Sequence, residues 1–512
     1  MSFSIPTYGP GTPYFTGAFA DPRTIPYTVN LHGTDYPIDL TQYRHNGVAR
    51  FRNGMVTSNE VNDSLLNPEG AWWRYRFSWH LGAGQEIDEL DADSQAARYE
   101  SSRGVDVWNK YQAQLLLASE TKNKSLTASD VHMIATASYV YCSDGTGVAR
   151  CADPELGGSA TWTPITGLSG TVQDMATDGS SVYIATTVDV YVVATTTAAS
   201  AFSTATTPAD KVAVAANRLL VGNANVIGEL GTTSFTAVYT HFQSAFRWKT
   251  VFSIGSRIYL GGYAGNRSEL YTVTTDDTGA LVLSAEAASF FSGELLNDAI
   301  GYAGSAILTT SKGIRFASVG ADGTLNYGPL IDDFGEADAI AAEGRFVWVG
   351  VENFPDTGTG LVRLALDSFV DTLLPAYAAD IFTEASSAAV ESVARFGGYT
   401  LFAVSADEVY GEDIDAFVTT GYIDSGDLTW GTVEDKSVSE LRVQYDALDV
   451  GETVVALVSN RAGTQIGTKT DSVDNSTEMT LDMVGNEVER ARVKITLTGD
   501  GSSTPTLNQW RI

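Results

Sequence analysis

Between about residues 130 and 420 one short pattern keeps returning: a small or apolar residue, a turn holding glycine or asparagine, and an apolar triplet seven positions on. The clearest copy is Met175-Ala-Thr-Asp-Gly-Ser-Ser-Val182-Tyr-Ile. Others begin at Val212, Val251, Ala299, Ala339 and Val393, leading to triplets at Leu219, Ile258, Ala306, Phe346 and Thr400. A further copy with a shorter turn runs from Ile134 to Tyr139-Val-Tyr. Counted from Tyr139, the triplets lie 43, 37, 39, 48, 40 and 54 residues apart.

A period near 40 built from short β runs predicts a β-propeller in which each repeat is one four-stranded blade. A lone antiparallel sheet with two apolar faces cannot bury both, so such sheets stack around an axis until the ring closes. Asp144-Gly145, Asp277-Thr-Gly279, Asp322-Gly323 and Asp356-Thr-Gly358 supply the turn chemistry of tight hairpins. Seven repeats predict about seven blades with the apolar triplets buried between them. The strand-like run Tyr111–Ser119 is expected to complete the first or last blade, because strands from both ends remove a free edge. The longer insert Asp371–Phe382 is expected to be a loop at one end of the ring.

The chain of 512 residues has room for several domains. Its hydrophobic content of 44% and mean hydropathy of −0.03 are those of a water-soluble protein, and no apolar run approaches a membrane span. The first residues lack the basic and apolar regions of a signal peptide, so secretion by that route is not expected. The net charge of −31 opposes direct binding to nucleic acid. It favours solubility first, with a meeting with basic neighbours or divalent cations as the alternative. Cys142 and Cys151 flank one turn; a buried free pair and a cross-strand disulfide both remain open.

Residues 1–60 hold six prolines interleaved with aromatics, from Pro6 to Pro37, and read as an extended arm that packs on a neighbour or on its own body. The next stretch carries Asn67-Pro-Glu-Gly70-Ala-Trp72-Trp73-Arg74, then Trp79-His-Leu-Gly82-Ala-Gly84-Gln85, then Ser101-Ser-Arg103-Gly-Val-Asp-Val-Trp108. Gly82-Ala-Gly84 lacks the Gly-Lys-Ser/Thr ending of a phosphate loop and reads as a tight turn. The acidic run 86–93 lacks the ligand spacing of a calcium loop and reads as solvated. From Gly421 onward longer alternating strands (439–445, 453–459, 478–483, 489–497) predict a β-sandwich of about 90 residues.

These three blocks, in this order and spacing, resemble the minor tail proteins of long-tailed, siphovirus-type bacteriophages, particularly those infecting actinobacteria. Gly421-Tyr-Ile-Asp-Ser-Gly-Asp-Leu and Thr504-Pro-Thr-Leu-Asn-Gln-Trp510 resemble the entry and closing strand of the sandwich that ends such proteins. The resemblance implies a structural virion component at or near the tail tip, made in the host cytoplasm and placed in the virion tail. It further implies other tail proteins and a host-surface glycan or protein as partners, and a homo-oligomer, trimeric or higher. The organisation expected is an arm and docking region over 1–110, a propeller over 111–420 and a sandwich over 421–512. Trp72, Trp73, Trp79 and Trp108 are the candidates for docking to the tail, beside a plainer role as a local core.

Catalytic patterns are missing from the sequence: no Gly-x-Ser-x-Gly, no His-Glu-x-x-His, no cysteine beside a base, and five histidines without metal spacing. Asp276-Asp277 and Asp332-Asp333 lie in turns. Arg218, Arg257 and Arg345 recur in one slot of the repeat, which suits turn positions more than a single cluster. No enzyme, cofactor or metal is expected; the competing readings are a tail-borne glycan depolymerase or glycosidase on the same scaffold, and a secreted lectin. The loop Tyr239–Trp248 offers Phe242, Phe246 and Trp248 as candidate glycan or partner contacts. The burial of the triplets yields a test: Trp348→Asp is expected to prevent folding, since an unpaired buried carboxylate costs roughly 3 kcal/mol or more. Circular dichroism of the purified variant checks it.

Overall fold

In every repeat the residue that opens the pattern and the triplet that follows fall on two neighbouring antiparallel strands joined by the glycine or asparagine turn. Met175 pairs with Ile184, Val251 with Leu260, and Val393 with Phe402. The computed structural model describes residues 27–31, 34–38, 47–52, 70–88, 97–108, 114–128, 131–153, 160–430 and 435–512; side chains before residue 74 lie outside the description. Most of the proline-rich arm thus falls outside the described residues. Contacts divide the chain into two units, one of 1–101, 105–117 and 420–512, the other of 102–104 and 118–419.

The second unit is a propeller of seven four-stranded sheets. Its blades begin at Met133, Val172, Lys211, Arg247, Leu296, Ala337 and Val390, in chain order. In the first six, four consecutive strands pair in sequence. The seventh takes Val390–Phe396, Tyr399–Val404 and Asp407–Phe417, and receives Ser119–Ala128 as its fourth strand. The first strand of each blade packs against the first strand of the next, and the seventh returns to the first. The ring is closed.

The apolar triplets form each blade's second strand, and the residue seven positions earlier lies on the first, axial strand. Leu219, Leu220 and Val221, and likewise Ala306, Ile307 and Leu308, are all buried. Apolar clusters bridge successive blades: Tyr141 and Val148 of the first meet Ile184 and Val193 of the second, while Cys142 and Met133 of the first meet Leu401 and Val409 of the seventh. Hairpin turns follow from Asx chemistry. Asp144, Asp178 and Asp322 each accept main-chain N–H bonds from residues two or three positions on.

The recurring arginines have a definite role. Arg218 donates to the Gly279 carbonyl at 2.7 Å, and Arg257 to the Gly320 and Ala321 carbonyls at 3.2 and 2.6 Å. Each thereby ties the first hairpin of its blade to the last hairpin of the next. Arg345 instead pairs with Asp367 within its own blade. The slot is turn-adjacent, as expected, and in two repeats it is a staple between blades.

Several expectations need correction. The closing strand is Ser119–Ala128, further along than the run 111–119, because the polar Ser119–Asn123 can stay half-exposed on an outer edge while Lys124 is buried. Asp371–Phe382 is no loop: Leu374–Thr383 is the outer strand of the sixth blade, joined to Thr359–Asp371 through a tight turn with Leu373 at φ 58°. Its alternation of Ala, Tyr and Ile suits a sheet packed on both faces. Cys142 pairs with Ala149 and Cys151 with Val140, so the two cysteines sit on the same strand pair two residues out of register, and both are free and buried. Trp348 is buried as expected, but the Arg395 guanidinium lies 4.2 Å from its ring. An aspartate there would meet a cation, so the damage of Trp348→Asp comes chiefly from lost packing.

Beside two two-stranded pairs, Tyr27–Leu31 with Thr34–Ile38 and Val105–Asp106 with Leu116–Leu117, the first unit contains two large sheets. One orders Gly47–Arg52, Gly70–Arg76, Leu507–Arg511, Lys436–Tyr445 and Glu478–Val488; the other orders Gln465–Asp471, Thr453–Asn460, Ala491–Thr498, Thr420–Leu428 and Ile87–Asp88. Tyr445 of the first sheet donates to Asp471 of the second, and Gly467 of the second lies against Met483 and Leu481 of the first. Residues 421–512 are therefore not self-contained: strands from the first 90 residues complete both sheets. Gly82 and Gly84 adopt φ of 73° and 92°, and Arg98 donates twice to the Ala83 carbonyl between them. This is the expected tight turn, filled by an arginine rather than a phosphate.

Ring closure makes the contact between seventh and first blades the sensitive one. Leu401→Ala, at 1% exposure in that contact, is expected to cost about 2–5 kcal/mol. Val282→Ala, 45% exposed on an outer strand, should stay within about 0.5 kcal/mol. Urea unfolding of the two variants checks the contrast.

Candidate functional site

The axial strands carry an irregularity in the same place. In five blades the pairing between first and second strand slips just ahead of the repeat's opening residue: at Val172/Asp174, Trp248/Thr250, Leu296/Asp298, Ala337/Ile340 and Val390/Ser392. A bulge of this kind bends the strand and re-aims the extra residue. The residues at and beside these slips are polar: Gln173, Asp174, Lys249, Asn297, Asp298, Asp338 and Glu391. With His132 and Lys211 from the two unbulged blades nearest the start, they line a cavity of about 920 Å³ on the axis.

The same slot also clasps the ring. Inner strands of neighbouring blades do not pair in a sheet, so their outward N–H groups need side-chain acceptors. Asp174 accepts the Val212 N–H at 3.0 Å, Thr250 the Ala299 N–H at 3.0 Å, and Ser392 the Met133 N–H at 2.8 Å. The last bond joins the seventh blade to the first. Glu391 adds a second one there, accepting the Val131 N–H at 3.0 Å.

Charge is distributed unevenly around the cavity. Asp174 binds the Lys211 ammonium at 3.0 Å and stands 3.7 Å from His132 Nδ1. Burial opposes the charge on Lys211, yet Asp174 and Asp298 hold its pKa above the usual lysine value. Burial pushes Asp298 upward, partly countered by Lys211 and by the Ala299 N–H. Burial and then Glu336 lift Asp338 to about 6, with Lys249 pulling it back and Glu391 and Glu352 adding to the rise. Lysines occupy the third and fourth blades, carboxylates the second, fifth, sixth and seventh.

This convergence was invisible in the repeat as read along the chain. Adjacent acid pairs such as Asp332-Asp333 were the natural place to search, and they stay in turns. The signal was the residue just before the opening residue of each repeat: Asp174, Lys211, Asp298 and Asp338 in four of seven copies are charged.

The candidate contacts of the Tyr239–Trp248 loop separate. Phe246 and Trp248 are buried between the third and fourth blades, in a cluster with Ile227, Leu260 and Tyr271. His241 stacks on Phe246 at 3.9 Å and bonds Glu269 at 3.2 Å. Hydrogen bonds from Tyr271 and His241 outweigh burial and keep Glu269 below the usual carboxylate range. A buried cluster cannot present a ring to a sugar; only Phe242, 77% exposed, remains outward. Among the tryptophans, Trp79 and Trp108 are buried inside the first unit, and Trp108 donates to the His80 carbonyl at 3.0 Å. They are local core and not a docking face. Trp72 and Trp73 lie in the strand Gly70–Arg76, and their side chains fall outside the described residues. Among the described residues no three His, Cys, Asp or Glu side chains are grouped to hold a metal ion.

No family model and no curated protein matches this sequence. Solved structures do align with part of this chain. A streptogramin B lyase aligns over 57% of this chain and 96% of its own, at 11% identity and a TM-score of 0.44. The virginiamycin B lyase of Staphylococcus aureus covers 57% and 99% at 13% identity and a TM-score of 0.43. The WD40 propeller domain of Doa1 covers 57% and 95% at 11% identity and a TM-score of 0.41. Likenesses this distant concern the fold alone.

Asp338 gives the site a pH signature. A carboxyl whose folded pKa lies above its unfolded value binds more protons when folded, so stability rises as pH falls from about 6 toward 4. Asp338→Asn should therefore stabilise the propeller at pH 8 by roughly 1–3 kcal/mol. Thermal melts should show the gain shrinking toward zero by pH 4.

Proposed function

We propose that this chain is a structural component of a bacteriophage tail, a minor tail protein at or near the tip, with a second role in attachment to the host surface. The observation that carries the reading is the ordered set of blocks between Asn67 and Trp108. Their described members support an architectural role: Trp79, Arg98, Arg103 and Trp108 are all buried framework residues. Arg103 pairs with Glu384 at 2.8 Å and lies 4.3 Å over the Phe382 ring, knitting its strand to the sixth blade. The chain works without catalysis in this reading. It sits in the virion tail after synthesis in the host cytoplasm, assembled as a homo-oligomer with other tail proteins and facing a saccharide or protein of the host surface. The net charge of −31 suits basic neighbours within such an assembly.

One observation favours a second reading, a tail-borne glycan depolymerase. Asp174, Asp298, Asp338 and Glu391 converge on the axis from four blades, and paired carboxyl groups of unequal acidity are the machinery of glycoside hydrolysis. Protein incubated with host cell-wall polysaccharide separates the two: retention without release supports the structural and adhesive role, and oligosaccharide release lost in Asp338→Asn supports the enzyme. For the tail itself, deletion of residues 1–60 is expected to abolish incorporation into particles while the propeller stays folded. Normal occupancy of the truncated chain in purified virions would overturn the assigned attachment. Phe242→Ala in assembled particles, measured by adsorption to host cells, tests the one exposed aromatic of the Tyr239–Trp248 loop.

A further inference from the structure

Two charged groups on the wall of the axial cavity, Lys249 and Asp338, make no hydrogen bond among the described residues, and they feel each other only through space. The Lys249 ammonium makes no ion pair or hydrogen bond among the described residues; its nearest aromatic neighbour is the Tyr263 ring, 5.7 Å away. The Asp338 carboxylate, half-buried on the sixth blade, accepts no hydrogen bond there either. Trp248 borders the same cavity, but its indole N–H is sealed in the cluster between the third and fourth blades and is out of a ligand's reach. Every other charged group at this level is engaged. Asp174 holds Lys211 and the Val212 N–H, Asp298 accepts the Ala299 N–H, and Glu391 accepts the Val131 N–H.

The unengaged groups are segregated by sign. Lys249 lies on the fourth blade, where it suits an anionic acceptor. Asp338 lies on the sixth blade, and Glu391 on the seventh keeps one carboxylate oxygen free of main-chain bonds. In a seven-membered ring the fourth and seventh blades stand as far apart as two blades can. A complementary ligand exchanges water at these half-exposed groups for charge-assisted hydrogen bonds. The volume of about 920 Å³ falls within the range of small-molecule sites.

We propose that the axial cavity binds a small extended zwitterion of peptide-like chemistry, its carboxylate held by Lys249 and its ammonium by Asp338 and Glu391. The site is independent of any place in a tail, since it rests on the propeller alone. It requires no covalent step.

The experiment is calorimetric titration of the full chain at pH 7.5 with four probes: triglycine, N-acetyltriglycine, triglycinamide and N-acetyltriglycinamide. Triglycine is expected to bind saturably, with each singly blocked form at least tenfold weaker and the doubly blocked form silent. Lys249→Met should weaken triglycine about tenfold and erase its advantage over triglycinamide. Asp338→Asn should instead erase its advantage over N-acetyltriglycine. That crossed pattern assigns each end of the ligand to its residue. Absence of saturable binding by the unaltered protein up to about 10 mM overturns the proposal. So does triglycinamide binding as tightly as triglycine with no response to Lys249→Met, which marks a cation drawn to the acidic surface. Should either variant fail to melt cooperatively, the four-probe comparison on the unaltered chain decides by itself.

Discussion

Closure of the ring is the constraint on which the propeller depends. Seven sheets each bury two faces only if the seventh meets the first, and the chain secures that junction several times over. Ser119–Ala128, laid down before the first blade, becomes the outer strand of the last. The Trp162 indole donates to the Lys124 carbonyl at 2.8 Å, and Thr121 to the Phe382 carbonyl at 2.6 Å, so the closing strand is bolted to both neighbouring blades. On the axis, Ser392 and Glu391 accept N–H groups from Met133 and Val131. Between these, Leu401, Ala403 and Val409 pack against Cys142 and Met133. A closure that joins residues nearly 300 apart in sequence carries a loop-entropy cost, which this density of contacts offsets.

The same axial segment solves a backbone problem and creates a site. Inner strands radiating from an axis leave main-chain donors unpaired, and the chain answers with a polar residue ahead of six of the seven repeats. Where that residue is Asp174, Thr250 or Ser392, it caps the neighbouring strand. Where it is Asp338, the clasp is not made, and the carboxylate is left on the cavity wall with its acidity weakened to about 6. Bulges turn Lys249 and Glu391 to the same wall. Structural bonding and binding capacity therefore draw on one set of positions, with only the unsatisfied members available to a ligand.

Much of the fold could be read along the chain. The spacing from Met175 to Val182, repeated at Val212, Val251, Ala299, Ala339 and Val393, is the length of a hairpin with both strands facing a core, and it returned the right number of blades. Asp–Gly turns were legible because Asx geometry is local. The errors arose where partners are distant. Phe246 and Trp248 looked like an aromatic loop, but their rings are captured by Leu260 and Tyr271 of strands that sequence cannot place beside them. Leu374–Thr383 looked like an insert because its pairing partner, Thr359–Asp371, is unusually long and bulged.

The sequence by itself determined the all-β class, the blade period, the buried triplets and the acidic character of the surface, because each depends on neighbours a few residues away or on composition. Only the tertiary structure decided which end strand closes the ring, that both termini share the sheets of the first unit, and that charged residues some forty positions apart meet on one axis. Rotational stacking of repeats turns a slot that looks solvent-facing in any single blade into a seven-sided wall. Chemistry at that wall depends on which of seven side chains finds a partner across the ring, and that is a property of closure.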